Sequence, residues 1–274
     1  MPKIVAFMNK KGGVGKSSTV HHLGGTLARR GLKVLLADVD SQANLTEGLL
    51  GAEQTEGMDP TTTIAAIMDE SGAFAPRDLV RPTAFPGLAI IPGSRFIDRF
   101  NVPEPWLTGV LQYALRDALA EAGEGFDLIL VDCPPAVAFW SWSALVAADG
   151  VVIPCTCEDY GVKGLRAIRQ TIGRVRAEAN DRLALLGILI QMFNKSLSVH
   201  VTYREALRDL HGADVFEAMV PLATDLKEAV TLGRPIVEHK PRGASARAFA
   251  ALADEFLARL DARAGGAAAE GRAA

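Results

Sequence analysis

The fold of this chain is decided by the stretch Asn9-Lys10-Lys11-Gly12-Gly13-Val14-Gly15-Lys16-Ser17-Ser18. An apolar run at residues 4–8 comes directly before it, and Val20, Leu23 and Leu27 follow it at helical spacing. A strand that leads through a glycine-rich loop into a helix is the setting of a phosphate-binding loop. The glycines let successive backbone N–H groups converge on phosphate oxygens, and the helix N-terminus adds partial positive charge there.

The residue types in this loop suit a nucleotide triphosphate with its magnesium ion. Lys16 is placed to reach the β- and γ-phosphates, and the Ser17 hydroxyl is placed to ligate Mg²⁺. Lys10 stands where the standard pattern has its first glycine. The agreement of strand, glycines, lysine, serine and helix favours nucleotide binding over a glycine-rich turn without a ligand. The nucleotide-binding residues predicted from the loop are Gly12, Gly13, Val14, Gly15, Lys16, Ser17 and Ser18.

The rest of the chain alternates short apolar runs with helical patterns. The runs are continuously apolar, as expected of strands that are covered on both faces. Strands that alternate with helices indicate right-handed crossovers and a mainly parallel sheet. We therefore predict an α/β fold, a mainly parallel twisted sheet flanked by helices. The predicted strands lie at residues 4–8, 34–37, 88–91, 128–131, 151–154 and 183–190.

Helical spacing and composition define the domain. Helices are predicted after the glycine loop and at residues 107–118, 162–179, 199–210 and 244–260. Segments 51–62 and 71–87 are rich in Gly, Pro, Thr and acidic residues, which predicts loops around a short helix at 63–68. No linker or repeat divides the chain, so we predict one domain over residues 1–262. Residues 263–274 are Ala/Gly-rich and are predicted to be a disordered tail.

The 274-residue chain has a formal net charge of −3, so it is not a general nucleic-acid coating protein, and any DNA contact must use a local basic patch. It contains no apolar stretch of the roughly 18–20 residues that span a bilayer. We expect a cytoplasmic protein without a membrane partner.

Carboxylates follow two of the predicted strands. Asp38 and Asp40 come after the second strand, and Asp132 ends the apolar run at 128–131. Ligands bind at the carboxyl ends of the strands in parallel sheets. Asp132 is therefore predicted to lie beside the phosphate loop and to hold Mg²⁺ through water.

These motifs resemble those of a known family. Lys-Gly-Gly-Val-Gly-Lys-Ser at residues 11–17 resembles the deviant Walker A motif of the ParA/MinD superfamily of P-loop ATPases, and the likeness extends to about residue 260. The resemblance implies ATP and Mg²⁺ as cofactors. It implies that Lys11 crosses a dimer interface to the partner's phosphates, that Asp40 orients the attacking water and that Asp38 supports this switch segment. The implied catalytic residues are Lys11, Lys16 and Asp40, and the implied metal-binding residues are Ser17, Asp40 and Asp132.

The base of the nucleotide is expected to be adenine. Asn194-Lys195-Ser196-Leu197 lacks the carboxylate with which N-K-x-D motifs pair guanine. By resemblance to the family, Asn194 and Pro221 flank the adenine. Family members often have P-R-N at the second place, whereas Leu222 and Ala223 follow Pro221 in this chain. Asn194 is the candidate replacement for the missing asparagine.

ParA proteins use ATP to form homodimers that bind DNA without sequence preference, and a partner then stimulates hydrolysis. The resemblance implies the same cycle here, with plasmid or chromosomal DNA partition on the nucleoid and a ParB-like or cargo-adaptor activator. Leu222 and Asp225 stand where relatives often carry basic residues. The candidate DNA contacts are Lys195, Arg204, Arg208, Lys227, Arg234, Lys240, Arg242 and Arg247.

Other functions stay open at the level of sequence. A ParA-like ATPase can instead position a non-DNA cargo, such as a protein compartment or a chemosensory or secretion assembly. A MinD-like membrane cycle is disfavoured because the tail has no large apolar side chains. An iron-protein-type reductase is disfavoured by the spacing of Cys133, Cys155 and Cys157. A ligase resembling dethiobiotin synthetase is disfavoured by Lys11 and the C-terminal motifs.

Overall fold

The computed structural model describes residues 1–68, 74–157 and 162–270. Seven strands within these ranges form a single sheet. They are β1 (Lys3–Phe7), β2 (Val34–Asp38), β3 (Arg81–Pro82), β4 (Leu88–Ile91), β5 (Leu128–Asp132), β6 (Gly150–Thr156) and β7 (Ala184–Gln191). Their order across the sheet is β3-β4-β2-β5-β1-β6-β7. All pair in parallel except the two-residue β3, which pairs antiparallel with β4.

Helices cover both faces of this sheet. The α-helices are α1 (Lys16–Arg29), α2 (Asn44–Leu50), α3 (Ala52–Glu56), α4 (Ala114–Ala122), α5 (Phe139–Ala147), α6 (Val162–Glu178), α7 (Ser198–His211), α8 (Thr224–Thr231), α9 (Ile236–His239) and α10 (Ala244–Glu270). Short 3₁₀ helices lie at Pro60–Thr62, Ile64–Met68, Pro76–Leu79, Arg95–Phe100, Pro105–Leu107, Gly109–Tyr113 and Gly212–Asp214.

Alternate residues of each strand enter separate apolar cores. Val5 and Phe7 of β1 pack on the face covered by α1, α8, α9 and α10, whereas Ile4 and Ala6 pack on the face covered by α4, α5 and α6. Successive side chains of a strand point to opposite faces, so a strand covered on both sides must be apolar throughout. The continuous apolar runs in the sequence have this origin, and the predicted α/β fold is confirmed.

Residues 105–113 differ from the predicted helix over 107–118. Two 3₁₀ helices occupy most of this segment, and the α-helix begins only at Ala114. Gly109 has a φ of 59°, a left-handed conformation that interrupts an α-helix. Leu107 and Val110 are consequently exposed instead of packed in the core.

The closing helix also differs from the expectation. The sequence predicts a helix over 244–260 and a disordered tail from residue 263, whereas α10 continues to Glu270. The segment is rich in alanine, the residue with the highest helix propensity, so the helix propagates without needing an apolar face. Residues 271–274 of the predicted tail lie outside the described residues.

A close contact between α1 and the segment before α9 gives a stability prediction. A Cβ at Gly25 would overlap the Cβ and Cγ atoms of Pro235, whereas a Cβ at Gly173 in α6 would meet nothing within 4 Å. Gly25→Ala should therefore lower the free energy of unfolding by about 1–3 kcal/mol. Gly173→Ala should raise it by up to about 1 kcal/mol, because alanine favours an exposed helix. Urea unfolding of the two variants checks this, and equal effects would contradict the close packing of Gly25.

None of the helices described here is both long and apolar enough to cross a membrane.

Candidate nucleotide site

The glycine loop connects the end of β1 to the start of α1 and forms a cradle of backbone N–H groups. Gly13 and Gly15 have φ values of 74° and 83°, which L side chains rarely adopt. Gly15 also packs closely, because a Cβ there would lie 3.0 Å from Oε1 of Gln191 at the end of β7. The loop therefore requires glycine at residue 15 for both its backbone conformation and its contact with the sheet.

The first residues of the loop are tied to the sheet. Nδ2 of Asn9 donates a hydrogen bond to the Pro154 carbonyl at 2.6 Å, and the Lys11 N–H donates to Asn9 Oδ1 at 3.0 Å. Lys10 is exposed and has no left-handed backbone, so this position does not need the glycine of the standard pattern. The departure at Lys10 is thus compatible with the loop geometry.

Lys16 places its charge at the mouth of the cradle. Its side chain is buried, and its Nζ lies 3.4 Å from the Lys11 carbonyl oxygen. Thr19, one turn further along α1, donates from Oγ1 to the Gly15 carbonyl at 2.6 Å and so ties the first turn of the helix to the glycine loop. These contacts hold a buried ammonium group beside the free N–H groups at the helix start, a suitable environment for phosphate.

Asp38 and Asp132 end adjacent parallel strands at the same level. Asp132 of β5 is in register with Asp38 of β2 on one side and with Phe7 of β1 on the other. Because β1 leads into the glycine loop, the sheet itself brings both carboxylates next to the cradle. The sequence-based placement of Asp132 beside the loop agrees with this geometry.

Asp38 is a structural support of the neighbouring turn. Its oxygens accept hydrogen bonds from the Thr46 N–H at 2.9 Å, the Thr46 hydroxyl at 2.7 Å and the Asp40 N–H at 3.2 Å. Thr46 Oγ1 in turn accepts from the Gly93 N–H at 2.7 Å. Burial raises the pKa of Asp38 to about 6, although these hydrogen bonds oppose the shift. Asp38 thus links the ends of β2 and β4 to α2.

Asp40 lies in the turn that Asp38 supports. Its Oδ1 accepts the Gln42 N–H at 3.0 Å, and the turn closes with Ala43 in a left-handed conformation, φ 51°. The side chain is largely buried yet lines the cleft beside the cradle. Asp40 therefore lies in the wall of the cleft that the phosphate-binding loop also lines, and its role in orienting water stays a prediction.

Asp132 meets the requirements of a ligand to a hydrated cation. It is fully buried, and among the described residues neither carboxylate oxygen has a hydrogen-bond partner. Burial raises its pKa well above the usual value, with the Asp38 charge adding to the shift, whereas the nearby Ser17 hydroxyl and Lys16 charge oppose it. A bound cation would favour the ionised form. No cluster of three or more acidic, His or Cys side chains suited to a metal occurs in the described parts of the chain. This does not argue against Mg²⁺, because a bound Mg²⁺ keeps several waters and needs only one or two ligands from the protein.

A cleft of about 430 Å³ opens beside the cradle. Its wall brings together the predicted loop residues and Asp40, but not the side chain of Val14, which is packed in the core. Seven of the lining residues were absent from the sequence-based site: His21, Gln42, Asn44, Leu45, Pro135, Met192 and Val230. His21 follows Ser17 by four residues, a helical spacing that could have revealed it. The cleft is lined by Gly12, Gly13, Gly15, Lys16, Ser17, Ser18, His21, Asp40, Gln42, Asn44, Leu45, Pro135, Met192 and Val230.

The two segments predicted to flank adenine pair with each other. Phe193 and Pro221 form a parallel bridge, in which the Phe193 N–H donates to the Val220 carbonyl at 2.9 Å and the Leu222 N–H donates to the Phe193 carbonyl at 3.0 Å. Met192 is the member of this group that lines the cleft. Asn194 Oδ1 accepts the Ser196 N–H at 2.9 Å, so that oxygen stabilises its own turn. The contact of Asn194 and Pro221 with adenine stays a prediction.

Two adjacent buried histidines connect α1 to the C-terminal segments. His22 Nδ1 accepts the Ile236 N–H at 3.1 Å, and its Nε2 lies 3.2 Å from the Leu226 carbonyl. The rings of His21 and His22 meet edge to face with centroids 4.9 Å apart. Burial lowers the pKa of His21 to about 4 and that of His22 well below its usual value. Both imidazoles are therefore neutral in the folded protein near neutral pH.

The lowered pKa of His21 predicts acid sensitivity. An unfolded histidine binds its proton near pH 6.5 and the folded one near pH 4, so His21 stabilises the fold above pH 6.5 and this contribution is lost as the pH falls towards 4. The loss amounts to about 3 kcal/mol. The raised pKa of Asp38 has the opposite effect on stability as the pH falls. The test therefore compares the free energy of unfolding of the protein with that of its His21→Leu variant at each pH. Urea unfolding from pH 7 to 4 should show this difference shrinking, and a constant difference would contradict it. The partly exposed His211 gives a control variant, His211→Leu, with a smaller change.

Comparisons with known proteins agree with the geometry of the site. A family model described as an AAA domain matches residues 2–185. The chromosome partitioning protein ParA of Caulobacter vibrioides is 33% identical over 259 residues, 94% of each chain. The chromosome-partitioning ATPase Soj of Thermus thermophilus is 35% identical over 256 residues, 93% of this chain and 96% of that protein. The structure of cobyrinic acid a,c-diamide synthase from Mycobacterium smegmatis with a bound ATP analogue and magnesium has a TM-score of 0.76 at 26% identity, covering 94% of each chain. The resemblance seen in the sequence is confirmed, and the chain belongs to the ParA/Soj family of P-loop ATPases.

Proposed function

We propose that this chain dimerises when it binds Mg-ATP, hydrolyses ATP to ADP and phosphate, and uses this cycle to partition plasmid or chromosomal DNA. The observation that carries the proposal is the set of carboxylates at the ends of adjacent strands beside the glycine loop. Within the described parts of the chain, neither Asp132 oxygen has a hydrogen-bond partner, and Asp40 lines the same cleft as Lys16. Buried anions next to a buried lysine and a phosphate cradle are the parts that phosphoryl transfer needs.

Each part has a defined task in hydrolysis. The loop N–H groups and Lys16 bind the phosphates and neutralise charge that develops on the γ-phosphoryl group. The Ser17 hydroxyl and Asp132 would hold Mg²⁺, which would supply further charge neutralisation on the phosphate oxygens. Asp40 accepts a hydrogen bond from the attacking water and orients it, while Asp38 holds the Asp40 turn. The Mg-ATP assignment is supported by the bound ATP analogue and magnesium of the Mycobacterium smegmatis neighbour.

Dimerisation rests on Lys11. Its side chain is exposed at the rim of the cradle, where it can extend to a second copy of the chain. Lys11→Ala should weaken ATP-dependent dimerisation by about 10-fold or more, because a cation paired with phosphate across an interface is lost. Sedimentation with a slowly hydrolysed ATP analogue measures the dimer. The neighbouring exposed Lys10 gives the matched control, Lys10→Ala. A dimer of unchanged strength in the Lys11 variant would remove its role across the interface.

DNA binding rests on exposed cations of the C-terminal third. Lys195, Lys227, Arg234, Arg242 and Arg247 are exposed. The three other candidates pair with acids: Arg204 with Glu205 at 3.4 Å, Arg208 with Glu217 at 2.7 Å and Lys240 with Glu228 at 2.8 Å. Surface pairs of this kind are weak, so DNA phosphates can replace the acids. The proposed location is therefore the nucleoid.

The proposal is tested by DNA binding of the Asp40→Ala protein, which should retain ATP. Binding to non-specific duplex DNA is expected with ATP but not with ADP, and it should weaken by about 10-fold or more between about 50 and 200 mM salt. The double variant Arg242→Glu/Arg247→Glu should lose this binding. The control is Arg77→Glu. Arg77 is an exposed arginine that pairs with Glu124 and lies outside the C-terminal third.

Absence of DNA binding despite ATP-dependent dimerisation would favour the second candidate, positioning of a non-DNA cargo. One observation points that way. Leu222 is 52% exposed at a position where the family often has a basic residue. A ParB-like or cargo-adaptor activator belongs to either version of the proposal, and a binding screen in the ATP state distinguishes the partners.

A further inference from the structure

The turn at residues 192–194 forms part of the cleft wall and is unusual in its backbone. Met192 lines the cleft and has a left-handed conformation, φ 53°, which costs free energy for a side chain of this kind. Such a conformation persists only where surrounding contacts hold it. The contacts that hold this turn therefore determine where the Met192 side chain stands.

Phe193 is held from one side of the turn, because its N–H and carbonyl bond to Val220 and Leu222. Asn194 is held from the other side. Its carbonyl accepts the Leu197 N–H at 3.1 Å, and its N–H donates to Nδ1 of His200 at 3.0 Å. The backbone groups of both residues are thus occupied within the protein. Of the three residues in this turn, Met192 is the one that lines the cleft.

His200 is well placed to hold the turn at residues 192–194. Its side chain is buried, 6% exposed, near the start of α7, and its ring lies 6.1 Å from that of Phe193. Since Nδ1 accepts the Asn194 N–H, the proton of the neutral ring is on Nε2. The imidazole thus connects α7 to the turn through one specific nitrogen.

We propose that His200 is a positioning residue for nucleotide binding. By accepting the Asn194 N–H, it holds the 192–194 turn so that Met192 packs against the base of ATP. The inference rests on the proposed Mg-ATP function. The two parts of the site should respond differently to His200. The glycine loop binds the phosphates independently of His200, whereas the contact with the base depends on His200.

Three substitutions at His200 separate the hydrogen bond from ring packing. His200→Asn places an amide oxygen near the position of Nδ1 and retains the acceptor. His200→Gln places its polar group near the position of Nε2, and His200→Leu has no acceptor. His211→Leu on the same helix is the control. Titrations with Mg-ATP, Mg-ADP and inorganic tripolyphosphate measure the affinities, and steady-state kinetics measures KM and kcat.

His200→Leu and His200→Gln should bind ATP and ADP about 10-fold more weakly, with a raised KM and unchanged kcat, because the partly buried Asn194 N–H loses its acceptor. His200→Asn should bind within about twofold of the unsubstituted protein. Tripolyphosphate, which has no base, should bind all variants equally well. Should the Leu variant fail to fold, the contrast between Asn and Gln decides the question.

Equal ATP affinity in the Asn, Gln and Leu variants would overturn the role of His200. An equal loss of ATP and tripolyphosphate affinity would also overturn it, since that result indicates general damage to the site. If the unsubstituted protein itself binds no ATP, the proposed function fails as well. ATP binding that is merely insensitive to His200 leaves the proposed function intact.

Discussion

Lys16→Ala is expected to abolish ATP binding, with an affinity at least about 100-fold lower than that of the unsubstituted protein. The Lys16 ammonium is buried at the mouth of the phosphate cradle, where its charge is poorly screened by water. Charge-assisted hydrogen bonds from a lysine to phosphate are about twice as strong as neutral ones, and no neighbouring cation on α1 can replace this one. The Lys16 Nζ also contacts the Lys11 carbonyl, so its loss loosens the cradle itself.

Calorimetric titration with Mg-ATP measures this effect, and thermal unfolding of the same sample shows whether the variant is folded. Lys10→Ala is the matched control, since Lys10 is exposed and lies in the same loop. Normal ATP affinity in a folded Lys16→Ala protein would refute the assignment of the phosphate loop.

Asp40→Ala is expected to bind ATP almost normally but to lose turnover by about 100- to 1000-fold, the usual effect of removing a preorganised polar group from a transition state. Asp40 lies in a turn next to the phosphate loop and takes no part in the backbone cradle. In the proposed mechanism its carboxylate orients water in the transition state, whereas the glycine loop holds the bound ground state. A loss of kcat with little change in ATP affinity is the signature of such a role.

Single-turnover hydrolysis and ATP titration separate the two effects. The control is Asp127→Asn, because Asp127 accepts the Lys33 N–H at 2.7 Å at the opposite end of the sheet. That variant should keep its turnover. Unchanged hydrolysis in the Asp40 variant would exclude Asp40 as the residue that orients water.

The glycine loop and the carboxylates were predictable because their signals are local. Each signal lies within a few residues of the site that it marks. Glycines mark the left-handed turn of the loop, the lysine marks the phosphate-binding helix start, and the acids mark the ends of the strands. Continuous apolar runs likewise predict the strands, since burial on both faces leaves no room for polar side chains. The structure places Lys16 and Asp40 in the wall of one cleft and Asp132 at the strand end beside the loop, while their roles stay predictions.

The rest of the site depends on contacts between distant segments. Met192 and Val230 reach the cleft only through the pairing of residue 193 with residue 221 and the packing of α8, which no local pattern records. The helix predicted over residues 107–118 was wrong at its start because apolar spacing continued through Gly109, whose left-handed backbone the spacing does not reveal. The buried His21 was overlooked, although its four-residue spacing from Ser17 places both residues on one face of α1.

The position of β1 in the interior of the sheet has a consequence for biosynthesis. The ribosome makes β1 and the glycine loop first, but the strands on either side of β1, which are β5 and β6, follow more than a hundred residues later. Pro235, which packs on Gly25, and α10, which covers α1, come later still. A nascent chain therefore displays an unpaired interior strand until about half of its length has been made, and an uncovered apolar helix until most of it has been made. Such intermediates are prone to aggregate, so we expect this chain to depend on chaperones during translation more than a protein whose early segments complete their own packing.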